Sequence, residues 1–171
     1  MTQAKLREAT PQVQSPNGNT NRLFSTFAYT GEGAGGDEDK LAAGVLAYTD
    51  DALLYLDRIP DSLAGASLIR TANADRNYWA NDYIVATTAS DLDLFVAHDS
   101  DAPLPVWLRD FRRQDEFVEV KGRKLTLYQK FLTSETRLRI PGNVDRGQAA
   151  GNRYNLILFA RPVSVGAGKQ P

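Results

Sequence analysis

The chain contains no cysteine, which excludes disulfide frameworks, thiolate metal sites and cysteine nucleophiles together. It has a single histidine, so a Ser-His-Asp hydrolase or an imidazole-based metal centre would have to be built on His98 alone, beside Asp99. Without a second histidine, transition-metal ligation would fall mostly to carboxylates. The plainer reading of His98, a half-buried residue at the end of a strand, is therefore the one adopted. A charge imbalance is missing too: 20 Lys and Arg stand against 21 Asp and Glu, for a net charge of -1, so no whole-protein field draws the chain to nucleic acid or to an anionic membrane. No run approaches the roughly 18 consecutive apolar residues of a membrane span. The opening MTQAKLREATPQ lacks the apolar segment of a secretory signal. Synthesis in the cytoplasm is the expectation, with a virion or extracellular location only after assembly.

What remains is one domain's worth of apolar material. At 171 residues and 42% hydrophobic content, the chain can bury one sizeable core. The first 20 residues are polar, with Pro11, Pro16 and Asn17-Gly18, and read as an extended arm. RLFSTFAYT, residues 22–30, has the aromatic and Thr content of a half-buried strand, with Leu23, Ser25, Phe27 and Tyr29 on one face. GEGAGGDEDK then reads as a loop unable to pack. The division expected is residues 1–40 as arm and Gly/acidic loop, 41–163 as the folded domain and 164–171 as a tail.

Within the folded part the sequence alternates short apolar stretches with turns. Residues 41–56 read as two short strands or one bent strand broken at Asp50-Asp51, and Leu63 to Thr71 and Tyr83 to Thr88 as further strands. Between those two, ANADRNYWANDY has the composition of a loop held by side-chain hydrogen bonds to the backbone. Asp91 to Leu132 forms the centre: Leu92, Leu94 and Val96 share one strand face, and Phe95 and Ala97 the other. The prolines of Ala102 to Leu108 break the ladder and fold Trp107-Leu108 back as a plug. Phe117 to Val120 and Leu125 to Leu132 flank Lys121-Gly122-Arg123-Lys124, a hairpin signature. Arg137 to Ile140 follows, and YNLILFA, residues 154–160, is apolar enough for a central strand covered on both faces. Many short strands without a convincing amphipathic helix predict an all-β fold, a single antiparallel sandwich.

Candidate sites are few. Asp75, Asp99 and Asp101 are hard oxygen donors near loop ends and form a candidate structural calcium set, although EF-hand spacing is absent. Solvated turn carboxylates are the plainer reading. Trp79, in a polar loop with Tyr78 and Asn81, is the candidate glycan platform, because an exposed aromatic can stack on a sugar ring. Trp107 and Tyr128 read as core. Arg109, Arg112 and Arg113 are interleaved with Asp110, Asp115 and Glu116, which makes a salt-bridged face rather than a nucleic-acid patch. GEGAGG is not followed by Lys-Ser/Thr and is no phosphate loop. Nothing assembles a catalytic constellation, so the chain is read as a non-enzyme.

Seven ordered pieces, Ile59-Pro60, Leu63 to Ala66, Ile69 to Asp75, Leu94 to Asp99, Pro105 to Leu108, Leu127 to Lys130 and Gly142-Asn143, resemble the non-catalytic β-sandwich modules appended to polysaccharide lyases and other carbohydrate-active enzymes. The resemblance spans about residues 45–162 and implies a galactose-binding-like (jelly-roll) or fibronectin-like sandwich with an extended N-terminal arm. Asp50-Asp51 replaces the modules' Asp-Arg, and His98 replaces an aromatic residue. As no export signal accompanies the sandwich, the expected reuse is a structural accessory protein that docks on a larger assembly, such as a phage virion decoration, tail or fibre component. Leu23, Phe24, Phe27 and Tyr29 on the arm would contact neighbouring subunits, and polysaccharide would be an outward-facing partner. The alternatives are an autonomous carbohydrate-binding module and, third, a small polysaccharide-active enzyme.

Overall fold

A computed structural model describes residues 23–31, 33, 35, 38–148 and 152–163. Among these residues ten strands form two antiparallel sheets, the all-β sandwich expected from the turn-punctuated sequence. The strands are β1 (Phe24–Tyr29), β2 (Glu38–Lys40), β3 (Leu56–Arg58), β4 (Ser67–Ile69), β5 (Trp79–Thr88), β6 (Leu92–Asp99), β7 (Arg112–Val120), β8 (Arg123–Leu132), β9 (Arg137–Gly142) and β10 (Ile157–Pro162). The smaller sheet has the order β1-β5-β9, and the larger β2-β4-β10-β6-β8-β7-β3.

Period-two alternation along β6 sorts its side chains onto two cores, as the sequence predicts. Leu92, Leu94 and Val96 join Leu23, Phe27, Ile84, Leu138, Ile140 and Leu158 between the sheets. Phe95 and Ala97 point the other way, into a second core with Leu68, Val118, Leu125, Leu127, Ile157 and Phe159. Among the described residues no further sheet covers that second core. Residues 41–66 do so with Tyr48, Leu54, Leu56 and Leu63, held by a 3₁₀ turn at Asp61–Leu63 and an isolated bridge between Leu46 and Tyr55. Burial on both faces explains why β10, which lies between β4 and β6, reads as a continuous apolar run.

Three expectations are corrected. Leu23, Phe24, Phe27 and Tyr29 are not a free docking arm: β1 pairs with β5, and Leu23 and Phe27 are buried in the core between the sheets with Phe24 and Tyr29 packed against it. The sandwich therefore reaches back at least to Leu23, and β2 contributes an edge of the larger sheet. The polar arm of residues 1–22 and the tail of 164–171 lie outside the described residues. The segment 41–56 supplies only the first residue of β3 and isolated bridges instead of two strands, because Asp50-Asp51 and the turns around them consume its length. The described glycines of GEGAGG do pack: a Cβ on Gly31 would collide with the Asp75 carboxylate, and one on Gly33 with Ala72. Here glycine serves close approach.

Candidate functional site

The loop expected over residues 72–83 runs over 70–78, since β4 ends at Ile69 and β5 begins at Trp79, and it is held by a buried polar node. The Asp75 carboxylate, 1% exposed, accepts the Tyr29 hydroxyl at 2.5 Å, the Tyr83 hydroxyl at 3.3 Å and the Gly33 amide at 3.2 Å. The Tyr29 oxygen in turn accepts the Ala72 amide at 3.0 Å. Asn155 Nδ2 donates to the Ala72 carbonyl and to the Tyr83 hydroxyl, each at 2.9 Å. Burial, reinforced by the Asp75 charge for Tyr29 and by Tyr29 and Asp75 for Tyr83, pushes both phenols well above the ordinary tyrosine range. They stay neutral donors. On the outer side the Asp50 carboxylate accepts the Asn73 and Ala74 amides at 2.7 and 2.9 Å, an N-terminal cap on the 3₁₀ turn Asn73–Asp75. These contacts make Ile-Arg-Thr-Ala-Asn-Ala-Asp a fold determinant.

The expected glycan platform does not form. Tyr78 turns inward, donating to the Thr30 carbonyl at 3.1 Å and lying 5.1 Å from the Tyr83 ring. Trp79 is half-buried in β5, with the Arg146 guanidinium 5.4 Å above its ring, while Asn81 alone is exposed. The calcium trio does not assemble either. Asp75 is committed to tyrosine hydroxyls, whereas Asp99 and Asp101 converge on Arg123. Among the described residues no group of three or more Asp, Glu or His side chains is arranged to hold a metal. Other turn carboxylates cap backbone amides: Asp57 takes Gly122, Asp91 takes Ser134, and Asp145 takes Val106.

His98 is 2% exposed, more buried than a strand-end residue need be. Burial lowers its pKa, opposed by the Asn143 backbone and by Asp99, and its Nε2 has no hydrogen-bond partner. Trp107 behaves as the predicted plug: its indole N–H donates to the Gly142 carbonyl at 2.8 Å while Leu108 is fully buried.

A further side-chain cluster, open to a ligand, carries no signal in the sequence. A cleft of ≈ 430 Å³ is lined by Ser100, Asp101, Lys121, Gly122, Arg123, Lys124, Arg153 and Tyr154. Its position follows from topology, because the end of β6, the β7–β8 turn and the approach to β10 meet at one end of the larger sheet. Lys121 (φ 51) and Gly122 (φ 79) both take left-handed backbone, the geometry of a two-residue hairpin turn that suits a twisted strand pair. The Gly122 amide is pinned to Asp57 at 2.9 Å. Arg123 Nε lies 2.9 Å from the buried Asp99 carboxylate, and a second guanidinium nitrogen lies 3.2 Å from Asp101. The hydrogen bond and charge of Asp99 raise the guanidinium pKa further. The Lys124 ammonium sits 4.6 Å from the Phe117 ring centroid, and the Arg58 guanidinium lies 5.1 Å from it. In the sequence Lys121, Arg123 and Lys124 read as turn chemistry and Arg153 has no signal of its own, since the four cations come from positions up to 32 residues apart, Lys121 to Arg153.

No family model matches the chain. It is similar to a beta-glucuronidase of Formosa agariphila, 30% identical over 135 residues that make up 78% of this chain and 14% of that enzyme. It also superposes on the structure of a beta-glucuronidase from glycoside hydrolase family 2, with a TM-score of 0.77 and 27% identity over 83% of this chain and 15% of that one. A glycoside hydrolase family 138 enzyme targeting pectin rhamnogalacturonan II shares the fold alone, with a TM-score of 0.52 and 15% identity over 76% of this chain and 16% of that one. The chain thus spans about one-seventh of the glucuronidases it matches. The sequence similarity is to a region of a beta-glucuronidase, which agrees with the expected modules of carbohydrate-active enzymes and gives no match to a polysaccharide lyase. The chain is a β-sandwich of a kind associated with carbohydrate-active enzymes.

Proposed function

We propose that the chain is a non-catalytic β-sandwich module that works beside the catalytic unit of a carbohydrate-active enzyme. The observation that carries this reading is the asymmetry of coverage: 78% of the chain aligns with only 14% of a beta-glucuronidase. The chemistry of the cleft agrees. Glycoside hydrolysis by its usual route takes two carboxyl groups flanking the bond, and the cleft holds one, Asp101, already paired with Arg123. His98 is buried in the core and the Asp75 carboxylate is occupied by two phenols. An assembly component of a virion, the other reading of the sequence, would have to rest on residues 1–22 alone, since the aromatic residues after them belong to the sandwich's own core.

The test is an assay of the 171-residue chain against aryl glycosides, β-glucuronides included, and a panel of plant and algal polysaccharides. Expected is no turnover with any of them. Release of aryl alcohol or reducing ends, abolished by Asp101→Asn, would overturn the reading.

A further inference from the structure

Resting on that reading, we propose that the cleft between the β7–β8 turn and the 153–154 segment binds an anionic saccharide, a sugar chain carrying carboxylate or sulfate groups. Local charge is the first argument. The chain as a whole carries -1, yet Lys121, Arg123, Lys124 and Arg153 line this cleft against the single acid Asp101. Partner accounting is the second. Among the described residues, only Arg123 of the four has a carboxylate within ion-pair distance. Arg123 is immobilised by Asp99, a carboxylate that is itself 1% exposed, with a second nitrogen on the exposed Asp101, so its third nitrogen is the one turned to a ligand.

The walls suit a sugar. Gly122 presents bare backbone, and the half-buried Tyr154 offers an amphipathic ring backed by Tyr48 at 6.3 Å between centroids. The cleft volume of ≈ 430 Å³ lies within the range of about 300–1,000 Å³ usual for small-ligand sites. A nucleic acid strand fits less well. It calls for a basic track that follows successive phosphates with aromatic side chains on which bases stack, whereas the cations here are gathered in one cleft of a chain with no basic excess.

Affinity electrophoresis of the whole chain in gels containing polygalacturonate, dextran sulfate, neutral dextran or poly-dT tests the proposal. Expected is retardation by polygalacturonate, by dextran sulfate or by both, which also tells carboxylate from sulfate ester, with none by neutral dextran. Replacing two surface cations by alanine, Lys121→Ala with Arg153→Ala, should weaken that retardation about tenfold at an unchanged thermal midpoint. Arg153→Lys should keep most of it. Retardation by neither acidic polymer, equal retardation by neutral dextran or poly-dT, or an acidic-polymer shift untouched by the double variant would each overturn the proposal. Failure of binding leaves the accessory-module reading intact, because that reading falls only if the chain turns over a glycoside.

Discussion

The larger sheet is covered on its two faces in opposite ways. On one face lies a hydrogen-bonded sheet, β1-β5-β9, with polar residues such as Ser25, Asn81, Arg137 and Arg139 facing outward. On the other lies the irregular segment 41–66, which buries Tyr48, Leu54 and Leu63 yet leaves Leu46, Leu53 and Tyr55 exposed. The regular cover satisfies its backbone through ladders. The irregular one does so through turn contacts such as Leu56 N–H to the Val45 carbonyl and Ala47 N–H to the Leu54 carbonyl. Equal burial is thus reached with different hydrogen bonding, and a loop can settle into a void that a sheet must span. Asn155 ties the two systems together: its carbonyl accepts the Tyr48 hydroxyl from the irregular side at 2.7 Å, and its amide donates to Tyr83 in the regular sheet.

That contrast can be broken experimentally. Leu94 and Leu127 are both fully buried, one in each core. Each Leu→Ala change should cost about 2–5 kcal/mol in urea unfolding, with Leu127→Ala at the lower end because its cover can collapse. Equal costs, or the reverse order, would remove the distinction. Next in size, Asn155→Ala should cost about 2 kcal/mol, since it strips the Ala72 carbonyl and the Tyr83 hydroxyl of a buried donor. Amide exchange should rise in residues 72–78, whose contacts run through the Asn155 side chain, and stay unchanged in residues 45–56, because the Tyr48 hydroxyl keeps the backbone carbonyl of residue 155; an equal rise at 45–56 would mean that the side chain holds both covers.

The smallest effect concerns His98. Its folded pKa lies below the ordinary 6.5 because of burial, so the unfolded chain takes up the proton first as pH falls. Stability should therefore be full above pH 6.5 and decline as the pH drops from there toward the folded-state value, by at most about 1.4 kcal/mol per pH unit. The stability–pH slope of His98→Gln, measured by urea titration between pH 7 and 5, should be flatter. An unchanged slope would assign the acid sensitivity elsewhere.

Much of the fold is legible in the chain because it is written in local chemistry. The split faces of β6, the Lys121-Gly122 turn, the Trp107 plug and the apolar run of β10 follow from period-two patterning and turn residues within a few positions of one another. The cover formed by 41–66 was not legible as irregular, since its apolar content is that of strands and only its packing partners decide otherwise. The aromatics of β1 were assigned to a docking arm because the glycine-rich stretch after them looked like a boundary. In the folded chain Gly31 lies against Asp75 and Gly35 against Tyr29. Site residues failed for a related reason. Tyr78 and Trp79 sit in polar sequence, but hydrogen bonding and pairing to Gly142 turn them into the fold. The cleft's cations are spread along the chain, and only strand order brings them together.

The outermost strands of the larger sheet, β2 and β3, are three residues each, with sequences EDK and LDR. β3 pairs with β7 across a register shift and β7 breaks register again against β8, so both margins are short and the β3 one is also irregular. The smaller sheet closes on β9, where Pro141 offers no amide. Such borders give another chain's strand little to add to. With three of its four sheet margins finished in this way, and the six-residue β1 as the fourth, the domain can be crowded against neighbours with a single edge open to another strand.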